Sequence, residues 1–279
     1  MPAQLIDGKK IADQILLDIK KQVAKLENKP GLAAILIGDN PASKLYLKLK
    51  EKACEKVGIN FSSYFLDKDC SEENILEVIS FLNNDPEITG IIIQLPLPKK
   101  FNQDKLIKAI KPEKDVDGFH PQSKVISPNI LGIMKLLKQT KVDLKNKKVM
   151  ILSNSKIFSQ PFKKLLPESK VEYLNPKSKT YLSAKARRAK ADNLKSIISN
   201  ADVLIVAIGK PKFIKPNMVK KDAIIIDVGI NKVKGKTTGD VDPKVDKIVA
   251  FRSPVPGGVG PMTVAMLLDN LLKLQKRAK

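Results

Sequence analysis

The sequence predicts an α/β protein of two domains with mostly parallel sheets, and three observations predict it. Strand-like and helix-like stretches alternate along the whole chain, as they do when helices carry the chain between neighbouring strands. The strand-like stretches are short apolar runs, such as Leu32–Ile37, that read as buried strands. The length of 279 residues suits one large or two small domains with ample core.

The elements follow in order. A helix near Asp7–Leu26 opens the chain. Leu32–Ile37 is a strand bounded by Gly31 and by Gly38-Asp39-Asn40-Pro41. Ser43 is then placed to cap a helix that runs through Cys54 and stops near Gly58. A strand near Phe61–Leu66, a helix near Glu72–Asn83 and a strand at Gly90–Gln94 come next. Pro96 and Pro98 end that strand and force an extended exit. After a helix-like Asn102 to Ile110, the loop Lys114-Asp115-Val116-Asp117-Gly118-Phe119-His120 holds two carboxylates and a glycine. Pro128–Leu137 reads as a helix leaving this domain, and Val142–Lys147 opens the next. There the strands are Lys148–Ser153, Val171–Leu174, Ala201–Ile208, Ala223–Val228 and Lys247–Phe251, a succession like that of a dinucleotide-binding unit. The last helix, Met262–Lys276, has a Leu-rich face.

Composition narrows the chemistry. His120 is the only histidine, and Cys54 and Cys70 belong to no metal-type cluster, which argues against a histidine triad and against a metal site. Two cysteines, no apolar run near the ~20 residues of a membrane span and no signal-like N-terminus lead to an expectation of cytoplasm, with no membrane partner. The net charge is +22, but arginine occurs only at Arg187, Arg188, Arg252 and Arg277. Lysines spread along the whole chain fit solvated faces better than nucleic-acid recognition, which favours arginine.

Tyr46 and Lys50 stand four residues apart on the second helix and so share a face. The plain reading is a solvated helix, because Lys44, Lys48, Lys52 and Lys56 lie on it too. Gln94 follows an apolar strand, and Asp117 lies in the glycine loop. Open parallel sheets bind ligands beyond the carboxyl ends of their strands, so Tyr46, Lys50, Gln94 and Asp117 are expected to gather at that edge.

With these segments on the page, the chain resembles the bifunctional methylenetetrahydrofolate dehydrogenase/methenyltetrahydrofolate cyclohydrolase family. Ser253-Pro254-Val255-Pro256-Gly257-Gly258-Val259-Gly260-Pro261-Met262-Thr263 and Ile226-Asp227-Val228-Gly229-Ile230-Asn231 with Gly239-Asp240-Val241 carry the resemblance to the C-terminal helix. It implies a folate domain of residues 1–127 with 262–279 and a Rossmann-like domain of 128–261, the last helix returning to the first domain. It implies that NADP-linked oxidation of 5,10-methylenetetrahydrofolate is followed by hydrolysis of the methenyl product to 10-formyltetrahydrofolate. Lys50 matches the catalytic lysine, Tyr46 the tyrosine that orients it and packs on folate, Gln94 the glutamine that tunes it, and Asp117 the carboxylate that grips the pterin. Pro256, Gly257 and Gly258 match a loop beside folate and nicotinamide, and the glycines allow close approach. A homodimer through the cofactor-binding domains is implied as well.

Departures cluster on the cofactor side. Where the family carries Gly-Arg-Ser and then another glycine, this chain reads Ser153-Asn154-Ser155-Lys156 and then Ser159. Glycine lets backbone N–H groups approach a pyrophosphate, and arginine binds the extra phosphate of NADP. Lys177-Ser178-Lys179-Thr180 replaces His-Ser-x-Thr, and Ser127-Pro128-Asn129-Ile130 replaces Pro-Cys-Thr-Pro. The cofactor contacts expected by position are Ser153, Asn154, Ser155, Lys156, Ser178 and Ile230, with NADP binding weakened and NAD open as a substitute. Two alternatives stand beside the bifunctional enzyme. One is a cyclohydrolase with a degenerate cofactor domain; the other is a non-catalytic basic protein binding nucleic acid on an old enzyme scaffold. The basic run Ala184–Lys190 reads as an exposed helix extension.

Overall fold

A computed structural model describes residues 2–176 and 194–277. The elements begin β1 (Gln4–Leu5), α1 (Gly8–Val23), β2 (Gly31–Ile37), α2 (Pro41–Val57), β3 (Asn60–Leu66), α3 (Glu72–Asn84), β4 (Gly90–Ile93), α4 (Gln103–Ala109) and α5 (Pro128–Gln139). They continue β5 (Lys148–Ser153), α6 (Lys156–Leu165), β6 (Lys170–Leu174), β7 (Val203–Ala207), β8 (Ile224–Asp227), β9 (Asn231–Val233), β10 (Lys236–Thr238), β11 (Phe251–Arg252) and α7 (Val259–Arg277). Contacts divide the chain into two units: Ile11–Leu131 with Thr263–Lys279, and Met1–Lys10 with Gly132–Met262.

The first unit holds a three-stranded parallel sheet in the order β3-β2-β4. Every residue of β2 is buried. Ile35, Ile37, Ile91 and Ile93 pack with Ile75, Ile79 and Leu82 of α3 and Leu106 of α4 in one core. The cap of α2 differs from expectation: it is Asn40, whose Oδ1 accepts from the Ala42 and Ser43 N–H groups at 2.9 and 3.1 Å. Pro41 follows as the first helical residue, where its fixed φ suits a helix start. Ser43, one turn inside, is buried instead. Gly58 ends α2 in the left-handed conformation at φ 83°. In the C-terminal helix, Leu271 lies against β4, where a Cβ on Gly90 would come within 2.5 Å of it.

The second unit holds a six-stranded parallel sheet ordered β1-β11-β8-β7-β5-β6. Its order reverses at β5, with β6 on one side and β7 on the other, which makes the ends of β5 and β7 a switch point of the Rossmann kind. This unit departs from the sequence reading at its short elements, the unexpected two-residue β1 among them. The strand expected at Lys247–Phe251 is only Phe251–Arg252, because Pro243–Lys247 winds as a 3₁₀ turn capped by Asp242. The β9–β10 hairpin was not anticipated; it turns through Lys234 and Gly235, both at positive φ. Ser178 and the run Ala184–Lys190 lie outside the described residues.

Candidate active site

The first unit places the expected catalytic group as follows. α2 begins just past the carboxyl end of β2, and Tyr46 lies in its second turn and Lys50 in its third. Lys50 is buried, and its Nζ donates to Gln94 Oε1 at 3.0 Å. Gln94 is held in turn: its Nε2 donates to the Leu95 carbonyl at 2.9 Å, and Ser43 Oγ reaches the same carbonyl at 3.4 Å. A carbonyl can only accept, so the amide is fixed with its oxygen toward the lysine. Burial lowers the Lys50 pKa, while the Asp117 carboxylate opposes that shift. Asp117 itself is raised by burial, partly offset by Lys50 and reinforced by Asp115. Tyr46 is half-buried, and burial raises its hydroxyl, so it stays a neutral phenol. Cys54, one turn beyond Lys50, is fully buried with its thiol pushed up to about 12, which leaves it inert at neutral pH.

The loop that carries Asp117 is built around its neighbours. Asp115 is buried, and its Oδ2 accepts from the His120 N–H at 2.8 Å. Gly118 sits at φ 69°, and a Cβ there would lie 2.7 Å from the Ser127 nitrogen, so the turn requires glycine. Asn270 of α7 completes the loop by donating from Nδ2 to the carbonyls of Val116 and Ile126 at 3.1 and 2.9 Å. Sequence reasoning missed Asn270 and Ser43. A polar residue in a Leu-rich helix was the available signal for Asn270.

In the second unit the loop after β11 contains Pro256, Gly257 and Gly258. Gly257 adopts φ 100°, and a Cβ on Gly258 would lie 2.4 Å from the Pro254 carbonyl oxygen, so this turn is closed by its own backbone. Gly260, by contrast, has open space around it.

At the switch point Ser153 ends β5, and Ser155 caps α6 by accepting from the Phe158 N–H at 3.3 Å. Ser153 Oγ accepts from the Ser155 N–H at 3.0 Å, and Ser159 Oγ donates back to the Ser155 carbonyl at 3.2 Å. Asn154 crosses from β5 to the end of β7, donating from Nδ2 to the Ile208 carbonyl at 2.8 Å. Its Oδ1 is buried with no hydrogen-bond partner among the described residues. Lys156 opens α6, and Ile230 is exposed after β8.

Two buried carboxylates brace this edge, and sequence reasoning gave them no role. Asp240 accepts from the N–H groups of Ile208, Gly209 and Lys210 at 2.7, 2.9 and 2.7 Å, and from Asn231 Nδ2 at 2.9 Å. Asp227 accepts from Gly229, Asp240 and Val241 at 3.0, 3.0 and 2.9 Å. Its pKa is pushed up to about 6, because burial outweighs those three donors and Asp240 adds repulsion.

The family profile described as "Tetrahydrofolate dehydrogenase/cyclohydrolase, catalytic domain" matches residues 6–117. The profile "Tetrahydrofolate dehydrogenase/cyclohydrolase, NAD(P)-binding domain" matches residues 127–279. The chain belongs to the tetrahydrofolate dehydrogenase/cyclohydrolase family. Bifunctional protein FolD of Sulfurihydrogenibium sp. is 42% identical, with 98% of each chain covered. Bifunctional protein FolD of Agathobacter rectalis is 43% identical over 99% of this chain and all of its own. Among solved structures, the bifunctional FolD dehydrogenase/cyclohydrolase of Campylobacter jejuni superposes with a TM-score of 0.90 at 37% identity, covering 99% of this chain and 100% of its own. The FolD of Trypanosoma brucei, solved with NADP and an inhibitor, gives 0.91 at 29% identity, covering 100% of this chain and 99% of its own.

Among the described residues no helix is long and apolar enough to cross a membrane, and no three His, Cys, Asp or Glu side chains group as a metal site.

Proposed function

We infer that this protein oxidises 5,10-methylenetetrahydrofolate with a nicotinamide dinucleotide and hydrolyses the methenyl product to 10-formyltetrahydrofolate. The observation that carries the reading is the buried Lys50–Gln94 pair with Asp117 as its nearby charge, in a segment that matches the family's catalytic domain. Hydrolysis requires water to attack a cationic carbon and a C–N bond then to open. A Lys50 amine with lowered pKa takes the proton from the attacking water. As an ammonium it returns that proton to the departing nitrogen while the C–N bond breaks, and the hydroxyl gives up its remaining proton to solvent as the formyl C=O forms. The Gln94 oxygen holds the amine in one direction throughout. Tyr46, still a phenol, packs beside the folate, and Asp117 accepts N–H donors of the pterin. Lys50→Met should therefore lose ~10²–10⁴-fold in methenyl hydrolysis with the fold intact. Near wild-type hydrolysis by that variant would overturn the assignment.

For the cofactor, the switch point fits a dinucleotide, and a bound nicotinamide supplies the hydride acceptor. Ser153, Asn154, Ser155, Lys156, Ser178 and Ile230 are the residues proposed to meet it. We propose that NADP binds weakly, with reduced discrimination against NAD. Two N–H groups at the start of α6 are already taken by the Ser153 and Ser155 hydroxyls. The orphan Oδ1 of Asn154 suits a hydroxyl donor such as a ribose and offers nothing to a phosphate, which also only accepts. We propose a cytoplasmic homodimer, consistent with two free cysteines.

A further inference from the structure

At the switch point the loop that follows β7 is held from behind. The N–H groups of Ile208, Gly209 and Lys210, three in succession, all turn inward to Asp240. Each oxygen of Asp240 takes two donors: Oδ2 those of Ile208 and Gly209, and Oδ1 those of Lys210 and the Asn231 side chain. Asp240 is wholly buried, and a Cβ on Gly229 would strike it. Successive N–H groups turned one way form a concavity suited to an anion, and here the chain's own carboxylate fills it. Asp240 is seated in turn by its backbone N–H, which donates to Asp227 Oδ1 at 3.0 Å. The loop's other face is different. Gly209 stands at φ 66°, and a Cβ built on it would meet no described atom within 4 Å. The Ile208 carbonyl receives Nδ2 of Asn154, so the loop also fixes the side chain that follows β5.

We propose that Asp240 is a positioning residue for dinucleotide binding. It sets the backbone of 208–210, and through Ile208 the Asn154 side chain, in the form that receives the cofactor. The inference rests on the reading of the switch point as the dinucleotide site, and adds to it a residue too deeply buried to touch the ligand. The geometry calls for a carboxylate. Four N–H donors converge here, and two carboxylate oxygens accept them in pairs. An asparagine of the same size has one such oxygen. Whichever way its amide turns, two of the four N–H groups face an NH2 donor. The loop must move to relieve that, and the open face of Gly209 leaves it room. Asp240 is committed to N–H groups behind the loop, so its loss should weaken NADP and NAD alike and leave the preference between them as it was.

The test compares wild type with Asp240→Asn and with Asn231→Ala, which removes one of the four donors at a half-buried position. Calorimetric titration gives Kd for NADP and for NAD. Steady-state oxidation gives KM and kcat, methenyl hydrolysis reports on the first unit, and circular dichroism confirms folding. Asp240→Asn should raise Kd and KM for both dinucleotides by roughly ten- to a hundredfold, the effect of a displaced binding group, with kcat and hydrolysis nearly unchanged. Asn231→Ala should shift both in the same direction by less, and it decides the matter alone if Asp240→Asn does not fold. Amide hydrogen exchange at 208–210 should quicken in both variants. Wild-type Kd in both variants would overturn the inference and leave the dinucleotide reading standing. So would a fall in kcat and hydrolysis together with binding, which a general loosening of the fold would produce. A wild type that binds neither dinucleotide would overturn the dinucleotide reading, and this inference with it.

Discussion

At the scale of single residues, Lys50 has exchanged most of its hydration for one glutamine oxygen. That exchange favours the neutral amine, while Asp117 favours the ammonium. If hydrolysis uses the neutral form, the rate rises with pH through the Lys50 pKa. Removing the Asp117 charge removes an interaction that holds this pKa up. Asp117→Asn should therefore move the rising limb of the hydrolysis profile to lower pH at saturating substrate. An unmoved limb, or one moved to higher pH, would show that the two groups are not coupled. Asn154 allows a test of the cofactor side. Asn154→Arg should tighten NADP by about ten- to a hundredfold, the ~1.5–3 kcal/mol of a charged hydrogen bond, and leave NAD nearly unchanged. Calorimetric titration with both dinucleotides would measure it; equal gains for the two would contradict the reading of Asn154.

At the scale of elements, the loop that carries Asp117 depends on a helix far away in sequence. Asn270 ties together carbonyls on both sides of Asp117 and Gly118. Asn270→Ala should cost about 1–3 kcal/mol of stability, because two carbonyls lose a buried donor. Thermal unfolding would read that loss, and a raised folate KM would show the loop loosening. A variant with wild-type stability and KM would remove Asn270 from the account. The regular elements were largely legible from sequence, since β2, β4, β5 and β8 are buried apolar runs ended by turn residues or short polar side chains. What escaped was short or locally polar. β1 is two residues that gain order only by pairing with β11. The β9–β10 hairpin is polar and three residues a strand. The cap at Asn40 was missed because Ser43 also had cap chemistry, and only Pro41 decides between them. Asp227 and Asp240 read as motif residues, but their bracing of three segments, 208–210, 229–231 and 240–241, is a tertiary fact without sequence periodicity.

At the scale of the whole molecule, the family's catalytic-domain profile matches residues 6–117 and its NAD(P)-binding-domain profile residues 127–279. In the proposed reading the folate motifs match the family's, and the departures fall at Ser153–Ser159 beside the switch point of the six-stranded sheet. That asymmetry makes the account's central claim: a bifunctional folate enzyme whose hydrolytic step is preserved and whose dinucleotide preference is relaxed. One paired spectrophotometric assay tests it most directly. Methenyltetrahydrofolate hydrolysis is followed beside methylenetetrahydrofolate oxidation, with NADP and with NAD titrated separately. The account predicts ready hydrolysis, oxidation with both dinucleotides, and a high KM for NADP. Absence of methenyl hydrolysis would contradict it at the root, and oxidation saturating at micromolar NADP with NAD rejected would contradict its reading of the cofactor loop.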